Sequence, residues 1–256
     1  MDWSELYLFT LIFMRVTGFV LFNPVLGRNS IPNLARAGMI MVFSAFVFGM
    51  APQAPAVPGT MVEFALRLLL ELGVGFVLGF VMRLFFMIIQ VGGEVIDAQM
   101  GLTMAQVYDA SSQINMTVTA SLLNVLMVLI FFAENGHYTM LRIFLTSQQV
   151  VPFGQAAFGQ TVASGVVEVF LSCMVLAIKL SLPILAAELL GELGMGILMK
   201  AIPQINAFVI NIELKVIIGL VLLFLFLSPI SEFLLGIESS MLETMGRMLE
   251  IIAAPG

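Results

Sequence analysis

Cysteine and histidine each occur once in this chain, as Cys173 and His137. A single cysteine excludes an internal disulfide, and no CxxC pair or Cys/His spacing suited to zinc is present. Charge is nearly as scarce. Asp, Glu, Lys and Arg make up 10% of the 256 residues, against about 25% in an ordinary soluble domain. The basic residues form no run, and net charge is −6. Nothing here would neutralise a phosphate backbone, which argues against nucleic acid as a partner. GxSxG, HExxH and P-loop patterns are missing, as is any Ser/His/Asp set, so no enzyme and no cofactor or metal is expected. The N-terminal "MDWSELYLF" has no basic region and no small-residue cleavage site, so the first apolar segment is expected to stay in the mature protein. His137 sits in "AENGHYT", a turn between apolar runs, and fits a headgroup-level residue rather than a ligand or general base.

What the chain has in place of charge is grease: 61% hydrophobic residues and a mean hydropathy of +1.11. In hydrocarbon every backbone polar group must be satisfied internally, which leaves helices or closed barrels. The apolar runs are continuous rather than alternating, so the expected class is an all-α membrane protein forming one domain, 1–256. Six apolar stretches stand out, at roughly 6–26, 37–51, 61–91, 118–133, 161–190 and 207–237. Few of them fit a straight span of about 20 apolar residues. The second ends in the proline-rich "APQAPAVPG"; the third is too long and carries Glu63, Arg67, Glu71 and Arg83; the fifth holds Glu168, Lys179 and Pro183. Arg15 interrupts the first near its middle. Each charge at bilayer centre costs about 2.5–3.5 kcal/mol on insertion scales, and each Leu or Ile returns only about 0.3–0.6 kcal/mol. Many helix surfaces are therefore expected to face protein or water, in an oligomer with other helical subunits. Asp2 and Glu5 before the first run and Arg28 and Arg36 after it place the N-terminus outside by the positive-inside rule.

Glu94 and Asp97, in "GGEVIDAQMG", share one helix face directly after the uncharged "LFFMIIQVGG". No nucleophile or metal ligand is near them. Intramembrane carboxylates such as Glu94, Asp97 and Glu213 would suit a small ion-coupled secondary transporter, although no convincing inverted repeat supports one. The segment that follows, "LTMAQVYDASSQINMTV", is polar and dotted with methionines. Against lipid it would be costly, but buried in protein or lining a passage it is allowed. It reads as a surface loop or a movable plug. Glu63, Arg67 and Glu71, four apart, form a charged stripe that is either neutralised within the helix or turned to a partner subunit. Gly75 and Gly79 make a small-residue face for close helix approach, and Glu188 and Glu192 share a face.

Three stretches, "FNPVLGRNSIPNLARAG", "GGEVIDAQMGLTMAQVYD" and "IPQINAFVINIELKVIIGL", resemble in order and spacing the signature blocks of the FliR family, an export-gate subunit of the flagellar type III secretion apparatus with relatives in injectisomes. The resemblance implies kinked helical hairpins packed in a hetero-oligomeric helical ring with FliP-like and FliQ-like gate subunits and a FlhB-like switch protein. It implies a passage for unfolded secreted proteins across the bacterial cytoplasmic membrane at the flagellar basal body. It also implies a plug loop, here Gly101, Thr103, Met104, Gln106, Tyr108, Asp109, Ser111, Gln113, Asn115 and Met116, with Glu94 and Asp97 as its anchor. Subunit contacts are expected at Pro24, Gly27, Pro32, Arg67, Gly75, Gly79, Pro203, Asn206 and Lys215. The chain departs from the family where Asp109-Ala110 replaces a common Asp-Pro, and where "NIELK" replaces a Gly-x-Pro-x-Lys pattern.

Overall fold

The computed structural model describes residues 2–28, 30–51, 55–104, 106–109, 114–201 and 207–254. Its described residues form eight α-helices: α1 (Trp3–Phe22), α2 (Asn33–Met50), α3 (Met61–Met100), α4 (Val118–Ala133), α5 (Gly136–Val150), α6 (Gln160–Ala201), α7 (Ala207–Leu225) and α8 (Leu227–Ala253). The all-α membrane class holds. Four helices are long and apolar enough to cross a membrane, or up to six spans if two bent pairs each count as one. These pairs are α4 with α5, bent by 68°, and the end of α7 with α8, bent by 61°.

One detail differs from the sequence reading and a second goes beyond it. The polar segment after α3 is not a simple loop. After a short 3-10 turn, Leu102–Met104, it forms an antiparallel ribbon of β1 (Gln106–Asp109) and β2 (Ile114–Thr117), with Gln106 opposite Thr117 and Asp109 opposite Ile114. The fifth apolar stretch is one helix that runs through Pro183. At 40 and 42 residues, α3 and α6 extend about 60 Å at 1.5 Å per residue, twice the ~30 Å of a hydrocarbon core. Each is therefore longer than one upright span needs.

The chain divides into two compact units. The first comprises 1–85, 134–171 and 239–256. Its core gathers Leu11, Ile12, Val16 and Phe19 of α1, Leu78, Val81 and Met82 of α3, Phe144 of α5, and Met245 and Met248 of α8. Phe19 and Phe144 stack with ring centroids 4.4 Å apart. The second unit comprises 86–133 and 172–238. Here Ile89, Ile96 and Met100 of α3, Leu123, Met127 and Phe131 of α4, and Cys173, Ala177, Leu180 and Ile184 of α6 are buried.

A crossing of α1 and α3 organises the first unit. A Cβ on Gly75 would overlap the α1 backbone at Arg15 and Phe19, and one on Gly18 would overlap α3 at Leu72. Contact this close requires glycine and brings main chain against main chain. One turn before Gly75, Glu71 is brought beside Arg15. Both are almost wholly buried, at 0% and 1% exposure, with Arg15 Nε 2.6 Å from Glu71 Oε2. The remaining Arg15 nitrogens donate to Ser147 Oγ (3.2 Å) and the Val151 carbonyl (2.9 Å), and the guanidinium lies 4.3 Å from the centre of the Phe153 ring. Glu71 Oε1 accepts the Gly154 N–H at 2.8 Å. A desolvated arginine of this kind is tolerable because nearly every polar direction is answered.

Candidate functional site: a ribbon clasped at its stem

The second unit repeats this arrangement with a different donor. Gly93 of α3 lies so close to α4 that a Cβ would overlap Ala120. One turn further along α3, Asp97 (0% exposed) faces the first turn of α4. Its Oδ2 accepts the Thr119 N–H at 2.7 Å, and its Oδ1 accepts the Thr119 hydroxyl at 2.5 Å. The first N–H groups of a helix have no partner within it, and the positive end of the helix dipole favours an anion there. Asp97 thus caps α4 from a different helix. Thr117, which immediately precedes α4 and is of a type that usually supplies the cap itself, has no hydrogen-bond partner for its buried hydroxyl among the described residues.

Between Asp97 and Thr119 the chain leaves α3 through Gly101, whose φ of 78° is the left-handed conformation that favours glycine, passes the exposed Thr103, and enters the ribbon. Met104 ends the 3-10 turn; Gln106, Tyr108 and Asp109 belong to β1 and Asn115 and Met116 to β2. Met116 is buried at 4% exposure. Ser111 and Gln113 lie outside the described residues. Asp97 and Thr119 therefore close the stem from which the ribbon extends. Glu94 takes a different environment: it is half-buried and accepts a hydrogen bond from Gln90 Nε2 at 3.0 Å on its own helix. Of the two carboxylates expected to act together, only Asp97 meets the start of α4.

The expected subunit contacts are scattered. Pro24 and Gly27 belong to the turn after α1, which Asn23 shapes by accepting the Val25 and Leu26 N–H groups at 2.8 and 3.0 Å. Pro32 is exposed at the start of α2. Arg67 pairs with Glu63 on its own helix at 2.5 Å, so the Glu63–Arg67–Glu71 stripe is divided: Glu71 turns to Arg15 instead. Gly75 and Gly79 are buried against α1 of the same chain rather than on an outer surface. Lys215 of α7 pairs with Glu192 of α6. Pro203 and Asn206 lie outside the described residues. No group of His, Cys, Asp and Glu among the described residues could hold a metal ion.

Sequence reasoning missed Ser147, Phe153 and Thr119. Ser147 and Phe153 sit where hydropathy is low, and nothing in their spacing ties them to Arg15. For Thr119 the sequence gives no local signal, because Asp97 lies 22 residues before it on another helix, with the whole ribbon between them.

Comparison with known proteins finds relatives along almost the full length of the chain. Residues 6–241 match the family described as bacterial export proteins, family 1. The chain is 29% identical to the flagellar biosynthetic protein FliR of Escherichia coli (strain K12) over 236 residues, 91% of this chain and 88% of that protein. It is 26% identical over 247 residues to the FliR of Bacillus subtilis (strain 168), covering 95% of each. It is also 25% identical over 232 residues to the surface presentation of antigens protein SpaR of Shigella sonnei, covering 88% of each. From its first helix into its last, this helical membrane chain belongs to the bacterial export proteins of family 1, the family of the flagellar biosynthetic protein FliR.

Proposed function

We propose that the chain is one subunit of the flagellar type III export gate, part of a conduit through which unfolded proteins cross the bacterial cytoplasmic membrane at the basal body. It acts beside FliP-like and FliQ-like gate subunits and a FlhB-like switch protein, and needs no cofactor of its own. The similarity to flagellar biosynthetic proteins over nine-tenths of the chain supports the setting. The observation that carries the mechanism is the ribbon, β1 with β2, held at its stem by Asp97 on Thr119.

A two-stranded ribbon pairs its backbone groups only across the ladder and leaves both outer edges open. Such a segment cannot face acyl chains, but it can stand in a passage or against protein. In this reading the ribbon is the plug of the closed state and the Asp97 clasp fixes its root. Opening moves the ribbon aside while the clasp holds α3 to α4. Deletion of residues 106–113 is expected to raise ion flux through membranes that carry the assembled apparatus. Asp97→Asn is expected to give a smaller leak, and Glu94→Gln none. Unchanged ion flux in an assembled complex that lacks the ribbon overturns the plug.

A further inference from the structure

Three long helices of this chain share one pattern. Between Glu5 and Arg28 the sequence has a single charge, Arg15; between Glu71 and Glu94 the single charge is Arg83; between Glu168 and Glu188 it is Lys179. Each cation stands near the midpoint of an apolar run close to the ~20 residues that cross a bilayer. Lys and Arg side chains near a helix end can bend to the interface, but from mid-run they do not reach it.

Arg15 shows what such a cation requires: a carboxylate, a hydroxyl, a carbonyl and an aromatic ring, all supplied within the chain. Arg83 and Lys179 receive none of these. Both are exposed, and neither has a hydrogen bond or ion pair among the described residues. Their surroundings are suited to a helix rather than to water. Phe76 and Phe80 lie half-buried one and two turns before Arg83, and 76, 80 and 83 follow the alternating four-and-three spacing of a helix–helix seam. Around Lys179, Val175, Ile178 and Leu182 are exposed at 52%, 58% and 55% on the same side of α6. Within one turn of either cation on its own helix the only polar side chain is Ser181, which is buried and donates to carbonyls of α6, so neither helix offers the polar face of a water-filled lining.

We propose that Arg83 and Lys179 are docking points for apolar membrane helices of partner subunits, and that each meets an Asp or Glu side chain near the middle of that partner helix. The partner carboxylate replaces what Glu71 gives Arg15. Such pairs fix register and choice of neighbour more than they add stability. The inference rests on the chain acting within a multi-subunit apparatus, and it names the chemistry by which the neighbours are recognised.

The test keeps both cations in place. A photoreactive residue replaces Phe80 in one variant and Ile178 in another, in cells that assemble the apparatus, and the adducts are mapped after mild-detergent purification. Adducts are expected on another subunit's apolar helix within one turn of an Asp or Glu. Adducts on lipid alone, or on a second copy of this chain, overturn the proposal. A second arm uses Arg83→Glu and Lys179→Glu. Each is expected to lower co-purification of partners at least tenfold, and acid-to-Lys changes in the partner helix to restore it. If the wild-type chain co-purifies with other subunits but the charge reversals join them equally well, the docking proposal fails and the subunit reading stands. If the wild-type chain purifies alone, the subunit reading itself fails.

Discussion

Glu71 and Asp97 are fully buried carboxylates, and each is kept by a different answer: a guanidinium for one and a helix start for the other. That difference sets what substitution does. Removing one member of a buried ion pair leaves the other charge stranded and costs about 3–5 kcal/mol, whereas replacing both with apolar groups of similar size is often near neutral. Arg15→Leu alone is therefore expected to reduce accumulation of the protein severely, and Arg15→Leu with Glu71→Leu to recover most of it, as read by thermal unfolding of the purified complex. A double variant no better than the single one would mean that the pair is not the feature holding α1 to α3. The presence of Arg15 in mid-run and Glu71 at the end of a charged stripe was plain in the sequence. Their pairing was not, because it joins two helices through a glycine crossing that spacing alone does not reveal. Mid-run charge read as a need for partner subunits is answered inside the chain at Arg15, Glu71 and Asp97, and stays open at Arg83 and Lys179.

At the scale of elements, α3 does most of the organising. Twice along its length a glycine and a carboxylate stand four residues apart, Glu71 with Gly75 and Gly93 with Asp97. The glycine admits a neighbouring backbone and the carboxylate binds it. Gly93→Val is expected to push α4 away, break the Asp97–Thr119 clasp and destabilise by at least the ~1–3 kcal/mol typical of overpacking. Gly194→Ala, where no described residue lies near the added carbon, is expected to be neutral or to stabilise α6 by up to about 1 kcal/mol through helix propensity. Protease resistance of the two variants checks the contrast, and equal resistance would contradict it. The long apolar helices were legible from hydropathy. Two elements were not. The mixed composition of α5 hides it, and α8 extends well past the last apolar run, its buried Leu234, Ile237, Met241, Met245 and Met248 marking a helical stripe among acidic and polar neighbours. The ribbon was invisible for a different reason. β2 does alternate apolar and polar residues, Ile114, Asn115, Met116 and Thr117, but four residues are too short a run to stand out from a loop, and the polar residues of this segment fit a paired ribbon equally well.

For the whole molecule, the central claim is that this chain works only among other membrane helices. α3 and α6, at 40 and 42 residues, are longer than one upright span needs; the broad apolar faces of α2, α6 and α7, from Leu34 and Phe46 to Leu190 and Phe224, lipid can cover. The two mid-run cations, Arg83 and Lys179, it cannot, and a single chain would leave both exposed to it. The direct measurement is the native mass of the wild-type protein extracted in mild detergent from cells that make flagella. The account predicts one assembly, several times the 27.9 kDa of the chain, that contains different membrane subunits and loses none of them on dilution. A chain recovered only as monomer or as a dimer with itself, stable and fully folded, would contradict it.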